Sequence, residues 1–168
     1  ASLAKTRLAQ IDGDIKVAGL KAPVTGVRDT WGVPHISAQS ADDLFFAQGY
    51  VMGQERWWQM EMWRRAAEGR MAEIVGASGV ARDRVARLLK YRGPLDDTEW
   101  TSYHPDARRI FTAYVNGINA FIAQSRDRLP VEFTVTGIEP EPWTIEQVVL
   151  RPPSFGDAAN ELQLARNV

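Results

Sequence analysis

The pattern of hydrophobic and polar positions predicts a mostly helical chain with a β-hairpin near its start. Two segments rich in strand-forming residues, Val24–Asp29 and Val33–Ala38, flank a turn signal at Thr30–Gly32. Pro34 has no backbone N–H to donate, so it places the second segment at a sheet edge or at the start of a strand. We therefore expect two short strands joined by a tight turn.

The strongest helical pattern in the chain begins at Ser40. Ser40 and the acidic residues after it form a capping pattern, and we expect the helix to continue to about Ala67 and to stop at Gly69. At 1.5 Å per residue the helix is about 40 Å long. Its apolar residues cover more than one face, so we expect burial on more than one side. Gly49 and Gly53, one turn apart, leave a flat strip that another backbone can approach.

The later segments are shorter, and most of them also have a helical pattern. In chain order they are a basic amphipathic helix at Val80–Tyr91, a helix at Pro105–Ser125, a strand candidate at Val131–Val135, a capped helix from Thr144 that Pro152-Pro153 must break, and a helical period over Phe155–Val168. The helices are too apolar, and the strands too few, for these elements to cover each other. We therefore expect a partner chain to complete the fold and the isolated chain to be unstable.

Composition and charge narrow the classes of protein that fit this pattern. The 168 residues have the length of one ordinary domain, and the shares of hydrophobic (45%) and charged (24%) residues are typical of a globular protein. The net charge is −1 and the two signs are mixed along the chain, so nucleic acid is not an expected partner. No run of about 18 apolar residues occurs, so we expect no segment to span a membrane.

Cysteine is absent, and the first residues bear on location. The absence of cysteine excludes a disulfide framework, a thiol nucleophile and thiolate metal sites. The opening Ala1-Ser2-Leu3 is compatible with the end that a signal peptidase leaves, although a cytosolic start has a similar composition. We therefore expect a periplasmic or secreted protein, with the cytoplasm as the alternative.

A search for reactive groups finds no catalytic constellation, which is typical of an accessory chain. No P-loop, dinucleotide-binding, zinc-protease or serine-hydrolase motif occurs in the sequence. His35 can be paired with Asp29 on paper, but we interpret it as a packing or hydrogen-bonding residue rather than a catalytic base. His104 precedes a helix start and is expected to cap it. Glu55 and Glu61 stand six residues apart, which does not place them on one helical face.

Three stretches of the chain carry compact motifs. They are the hairpin sequence at Val27–Ile36, the segment Gly49–Gly69 in the long helix, and Ala113–Ala120 in a later helix. In order and spacing they resemble the motifs R-D-x-x-G-x-P-H-[IV], G-Y-x-x-A-Q-D-R-x-x-Q-M-E-M-x-R-R-x-x-x-G and Y-x-x-G-x-N-A of the α chain of the penicillin acylase family. Each motif alone is modest, but together they are specific, and the resemblance covers about residues 15–165.

The resemblance implies an N-terminal-nucleophile hydrolase that is made from one precursor. In that family the precursor cuts itself into an α chain and a longer β chain, and the serine that begins the β chain is the nucleophile, with its own α-amino group as the base. No catalytic residue is then expected in this chain, since Ala1 cannot take that role. The implied reaction is the hydrolysis of a small-molecule amide.

The fold implied by the resemblance is α+β. A mostly helical α chain combines with the β chain into a four-layer αββα structure. Residues 1–168 are then a single α-subunit segment, which forms part of one domain that the β chain completes.

The resemblance also implies roles for residues near the C-terminus. Phe155 aligns with a gate phenylalanine of the acyl pocket, and Glu161 with a glutamate that shares a structural calcium ion with the β chain. Ser154 stands where the family pattern has an arginine, and Arg151 where it has a pocket methionine. A guanidinium at that position favours an acyl group that ends in a carboxylate. The alternatives are a core aromatic for Phe155, a solvated acid for Glu161, and a surface position for Arg151 if the two prolines shift the register.

A second hypothesis from another class also fits the sequence. The chain is then a stand-alone helical interaction module without enzymatic activity, and Gly49, Gly53 and the tryptophans form its docking face. A larger second chain beginning with serine in the purified protein favours the acylase subunit, whereas a stable monomer of 18.8 kDa favours the module.

Overall fold

A computed structural model describes residues 6–90, 95–100 and 103–149 of the chain. Its elements, in chain order, are β1 (Thr25–Arg28), β2 (Pro34–Ser37), α1 (Ala41–Glu68), α2 (Ala72–Val75), a 3-10 turn (Gly76–Gly79), α3 (Val80–Leu89), α4 (Asp97–Trp100), α5 (Ala107–Gln124), α6 (Val131–Thr136) and α7 (Ile145–Val149). This part of the chain is mostly helical, as the hydrophobic pattern predicts. The helical period over Phe155–Val168 lies outside the described residues. None of the helices in the described ranges is long and apolar enough to cross a lipid bilayer.

The structure confirms the predicted hairpin. β1 pairs antiparallel with β2, and the register places Thr25 opposite Ser37. The side chain of Asp29 orders the connecting turn, because its Oδ1 accepts hydrogen bonds from the backbone N–H groups of Trp31 and Val33, both at 2.9 Å. A carboxylate that accepts from two nearby N–H groups stabilises a turn without help from the core.

Helix α1 begins and ends where the sequence predicts. The hydroxyl of Ser40 accepts a hydrogen bond from the N–H of Asp43 at 3.1 Å. Gly69 ends the helix in the left-handed region, with φ 68°, where a side chain would be strained. The helix is kinked in its middle, since Arg56 has φ −132° and ψ 16°. This kink follows no proline and was not anticipated from the sequence.

Helices α1 and α5 cross at two glycines, and their backbones touch there. A Cβ atom added to Gly49 would lie 1.9 Å from the carbonyl oxygen of Tyr114, and one added to Gly117 would lie 1.9 Å from the carbonyl oxygen of Phe46. This contact confirms the prediction that another backbone approaches the flat strip at Gly49. The partner is α5 of the same chain, and Phe121 covers Gly53, so this strip is not open as the docking face of an interaction module.

The core lies between α1, α5 and the segments that follow α5. Its buried members are Tyr50, Trp57, Met60, Val115, Ile118, Phe121, Ile122, Phe133 and Trp143. The ring of Phe121 meets Tyr50 and Trp57 edge to face, with centroids 5.5 and 5.4 Å apart. The sequence predicts that a partner chain covers α1, but much of this cover comes from the same chain. The difference comes from α5, because its buried face packs against the buried face of α1 and covers it.

Helices α3 and α5 lie within their predicted ranges, whereas the predicted strand at Val131–Val135 is wrong. These residues form α6, which Pro130 precedes and a left-handed Gly137 ends. The reason is tertiary: Phe133 is buried between two indole rings of α1, with its centroid 5.0 Å from each. A single buried anchor in six residues suits one helical turn better than an alternating strand. The β propensity of the valines was overridden by this contact.

Candidate functional site

The residues that the sequence places in an acyl pocket and at a metal lie outside the described residues. They are Arg151, Ser154, Phe155 and Glu161. The structure describes the segment that leads to them, as far as Val149 at the end of α7. The part of the candidate site that the structure describes is therefore the set of side chains that hold the segment ending at Val149.

A cluster of charged side chains is buried at the end of α1. Glu61 is fully buried and accepts hydrogen bonds from two guanidinium groups, those of Arg64 and Arg65. Charges removed from water are tolerated only when they are paired and hydrogen-bonded. The sequence-based comparison of Glu61 with Glu55 as an acidic pair does not predict these arginine partners. The available signal was the spacing of three and four residues to the arginines, which places all three on one helical face.

The buried cluster continues outward through Arg70. The guanidinium of Arg70 binds the carboxylates of Glu73 and Glu141, and Glu73 also accepts from Arg65. The hydrogen bonds that Arg70 donates to the carboxylates of Glu73 and Glu141 raise the pKa of Arg70 above its ordinary value. Arg70 in turn lowers the pKa of Glu73 and of Glu141 below the usual range for glutamate. Arg70, Glu73 and Glu141 therefore remain charged near neutral pH and hold the end of α1 to the segment around Glu141.

Residues 141–143 form a loop that two helices hold together, and we call it the anchored loop. From α1, Nη1 of Arg64 donates to the carbonyl oxygens of Glu141 and Pro142 at 3.1 and 3.3 Å. The same guanidinium lies over the ring of Trp143, 5.4 Å from its centroid. From α5, the amide of Asn119 donates to the carbonyl of Trp143 at 2.8 Å and accepts from its N–H at 2.7 Å.

Helix α7 starts directly after the anchored loop and is also fixed to α1. The N–H of Thr144 donates to Oε1 of Gln147 at 3.0 Å, the back-bond of the predicted capping box. Nε2 of Gln147 donates to Glu68 at 2.6 Å, which ties α7 to the last turn of α1. Val148 packs against the core. The point from which the chain continues beyond Val149 is therefore set by α1 and α5.

Both histidines take part in hydrogen bonds that order turns. His35 lies 3.2 Å from Asp29, so the structure brings this pair together, but the side chain of His35 is largely exposed and that of Asp29 is partly exposed. The N–H of Val33, with the ring of His35, lowers the pKa of Asp29 below the ordinary carboxyl value. This geometry orders the turn and supports hydrogen bonding as the role of His35. Nδ1 of His104 accepts a hydrogen bond from the N–H of Asp106 at 3.2 Å, so His104 orders the turn before α5. The N-cap residue of α5 is Asp106 and has no side-chain cap hydrogen bond, so the predicted capping role of His104 is wrong.

Within residues 6–90, 95–100 and 103–149, no three acidic or histidine side chains converge on a point where they would hold a metal ion. Calcium takes six to eight oxygen ligands. A calcium ion bound through Glu161 would therefore need ligands from outside these ranges.

A cleft of about 500 Å³ lies between the hairpin, α1 and the segment before the hairpin. Its guanidinium, Arg28, is paired with Glu55.

The arrangement of these helices is similar to that in a known acylase. The thermostable penicillin G acylase from Alcaligenes faecalis matches the fold with a TM-score of 0.66 and 33% sequence identity. The match covers 76% of this chain and 69% of that chain. The class of fold is therefore that of the penicillin acylases.

The chain belongs to the penicillin amidase family, whose model matches residues 23–166. Penicillin acylase 2 proenzyme of Pseudomonas sp. (strain SE83) is 40% identical over 136 residues, which are 81% of this chain and 17% of that protein. The acyl-homoserine lactone acylase QuiP of Pseudomonas aeruginosa is 34% identical over 86% of this chain and 17% of its own length. Penicillin G acylase of Escherichia coli is 35% identical over 70% and 14%. The chain thus spans about one sixth of the length of these relatives.

Proposed function

We propose that this chain is the α subunit of an amide-hydrolysing acylase whose nucleophile is the first serine of a partner β chain. Membership of the penicillin amidase family is the observation that carries the proposal. The chain aligns over 81% of its length with only 17% of a relative named as a proenzyme, so most of such a protein is other sequence. In this proposal residues 1–168 are one segment of a four-layer αββα domain that the β chain completes.

The chemistry of the described residues favours an accessory role for this chain, in which it supplies structure rather than reacting groups. Acyl transfer needs a nucleophile, a base and donors for the developing oxyanion. The buried carboxylate of Glu61 is paired with Arg64 and Arg65, Arg65 is paired with Glu73 as well, and Asp29 and His35 order a turn. These groups are engaged in holding the fold, so we assign the reacting groups to the β chain.

We assign the acyl-pocket wall to the segment after α7. In this assignment Phe155 gates the pocket, Ser154 lies beside it, and Arg151 pairs with a carboxylate at the end of the acyl group. Losing a charge-assisted pair costs about 2–5 kcal/mol, or roughly thirty-fold to several-thousand-fold in kcat/KM. Arg151→Met should therefore change the ratio of succinyl-amide to phenylacetyl-amide hydrolysis. If the ratio in this variant stays within about threefold of the wild-type ratio, Arg151 does not line the pocket.

We assign Glu161 as this chain's ligand to a structural calcium ion that the β chain shares. Bound metal stabilises the folded state in proportion to its binding free energy. Glu161→Ala should lower thermal stability or maturation more in chelator-free buffer than in chelator. Equal losses in both buffers, or no metal in the purified heterodimer, would contradict this assignment.

The proposal as a whole is tested by making the full-length precursor and examining what it becomes. We expect two chains, the larger beginning with serine on N-terminal sequencing, and hydrolysis of chromogenic N-acyl amides. Replacing that serine with alanine should abolish hydrolysis and also self-cleavage, because alanine has no hydroxyl to attack the peptide bond, so a soluble uncleaved precursor of this variant is the control for folding. A single uncleaved chain without amidase activity would contradict the proposal. Cell fractionation tests the further expectation that the mature enzyme is periplasmic or secreted.

A further inference from the structure

A second cleft, of about 350 Å³, lies beside the kink of α1, and we call it the arginine cleft. Its lining comes from the segment before the hairpin, from the middle of α1, and from the end of α5 and the residues that follow it. We propose that the arginine cleft binds the carboxylate of a small organic acid, with Arg56, Arg128 and the hydroxyl of Ser125 as its polar contacts. This binding site goes beyond the proposed function and does not depend on it.

The charge of the arginine cleft favours an anion. Arg7, Arg56 and Arg128 line it together with two glutamates, Glu55 and Glu132, and the carboxylate of Glu55 is already paired with an arginine of β1. Within the described ranges neither Arg56 nor Arg128 forms an ion pair, so their donors remain for a ligand. A guanidinium presents parallel N–H donors that match the two oxygens of a carboxylate.

The buried polar groups of the arginine cleft also lack acceptors. Ser125 lines the cleft and is 7% exposed, and its hydroxyl makes no hydrogen bond to another residue in the described part of the chain. The indole N–H of Trp57, another lining residue, is buried without an acceptor among the same residues. Buried polar groups in folded proteins normally have a partner, because an unmade hydrogen bond is costly. An oxygen that enters the cleft is the acceptor that Ser125 lacks.

Apolar side chains of the arginine cleft favour an organic acid over an inorganic anion. Leu8, which is 70% exposed, lines the cleft with the half-buried Trp58 and Pro130. An apolar group that covers these side chains gains free energy because it removes apolar surface from water. Small-molecule sites have volumes of about 300–1,000 Å³, so this cleft accepts a ring or a short chain. The acid that an amide hydrolase releases from its substrate belongs to this class.

The test is isothermal titration calorimetry of the full-length protein with benzoate and hexanoate. Benzyl alcohol lacks the carboxylate and sulfate lacks the apolar group, so we expect each to bind at least about tenfold more weakly than benzoate. Arg56→Gln and Arg128→Gln should each raise the Kd of benzoate at least about tenfold, because each removes a charge-assisted contact. Arg126 is the matched control, since it is exposed, lies two residues before Arg128 and does not line the cleft. Arg126→Gln should leave the Kd within about twofold.

A milder variant keeps the inference testable if an arginine variant does not fold. Ser125→Ala removes only a hydroxyl, and we expect it to raise the Kd of benzoate about threefold to tenfold. An unchanged Kd in the cleft variants, an equal loss in Arg126→Gln, or sulfate binding as tight as that of benzoate would overturn the inference. A wild-type protein that binds neither acid would also overturn it, and this is the result if another part of the protein fills the cleft. None of these measurements depends on amide hydrolysis, so each of these results leaves the proposed function standing.

Discussion

The α1–α5 helix pair and the β1–β2 hairpin hold their shapes by different means. In the helix pair the backbones touch at Gly49 and Gly117. Apolar side chains fill the space beside the crossing, and Ile118 there is 0% exposed. The hairpin is held by strand pairing and by the bonds of Asp29 to its own turn. Three of its apolar side chains, those of Val27, Trp31 and Val33, are exposed, and Trp31 at the turn is 88% exposed.

This difference shows which part of the chain depends on surroundings outside it. The helix pair has its core within the chain. A two-stranded hairpin with exposed apolar groups is only marginally stable in water, so we expect a part of the proposed precursor outside this chain to cover it. The sequence predicts partner cover on α1, whereas the exposed side chains of Val27, Trp31 and Val33 indicate that the hairpin needs this cover more.

The largest contrast is expected between two tryptophans given the same substitution. Trp57 in α1 is 3% exposed, and Trp57→Ala should cost about 3–5 kcal/mol of stability because it opens a cavity in the core. Trp31→Ala removes few contacts within this chain, so its cost measures cover by the rest of the protein and should be less than half as large. Thermal inactivation midpoints of the two full-length variants provide the measurement. Equal losses would show that the hairpin turn is as buried in the whole protein as α1.

Local signals explain what could be predicted from the sequence. Ser40 and Gly69 act through their own backbone neighbourhoods, so the ends of α1 were predictable to within a residue or two. The hairpin turn was predictable for the same reason. In contrast, the helical state of Phe133 and the bond from Asn119 to Trp143 depend on partners that are distant in the chain. A motif marks such residues, but only the fold shows what they bind.

An intermediate contrast is expected between two glycines. Gly117→Ala places a methyl group against the backbone of α1, and the helices must separate to admit it, at a cost of about 3 kcal/mol. Gly26 lies in β1 with open space around the position of a Cβ, so Gly26→Ala should change stability by less than about 0.5 kcal/mol. The yield of soluble mature enzyme and its melting temperature distinguish the two. A well-folded Gly117→Ala protein would contradict the close crossing seen here.

The smallest effect is expected in the hairpin and depends on pH. The N–H of Val33 and the ring of His35 lower the pKa of Asp29 below the ordinary 3.8, so the ionised carboxylate stabilises the turn fully at pH values above that range. This contribution is lost as the pH falls through the lowered pKa, because protonation weakens the bonds that the carboxylate accepts. Asp29→Asn keeps an acceptor oxygen but cannot ionise, so wild type and variant should differ in amide protection over residues 25–37 at pH 5 and converge as the pH falls through the lowered pKa of Asp29. Hydrogen exchange of that segment over a descending pH series, referenced to a peptide from α5 in the same sample, measures the difference. A difference that persists unchanged once Asp29 is protonated would show that the charge of Asp29 does not order the turn.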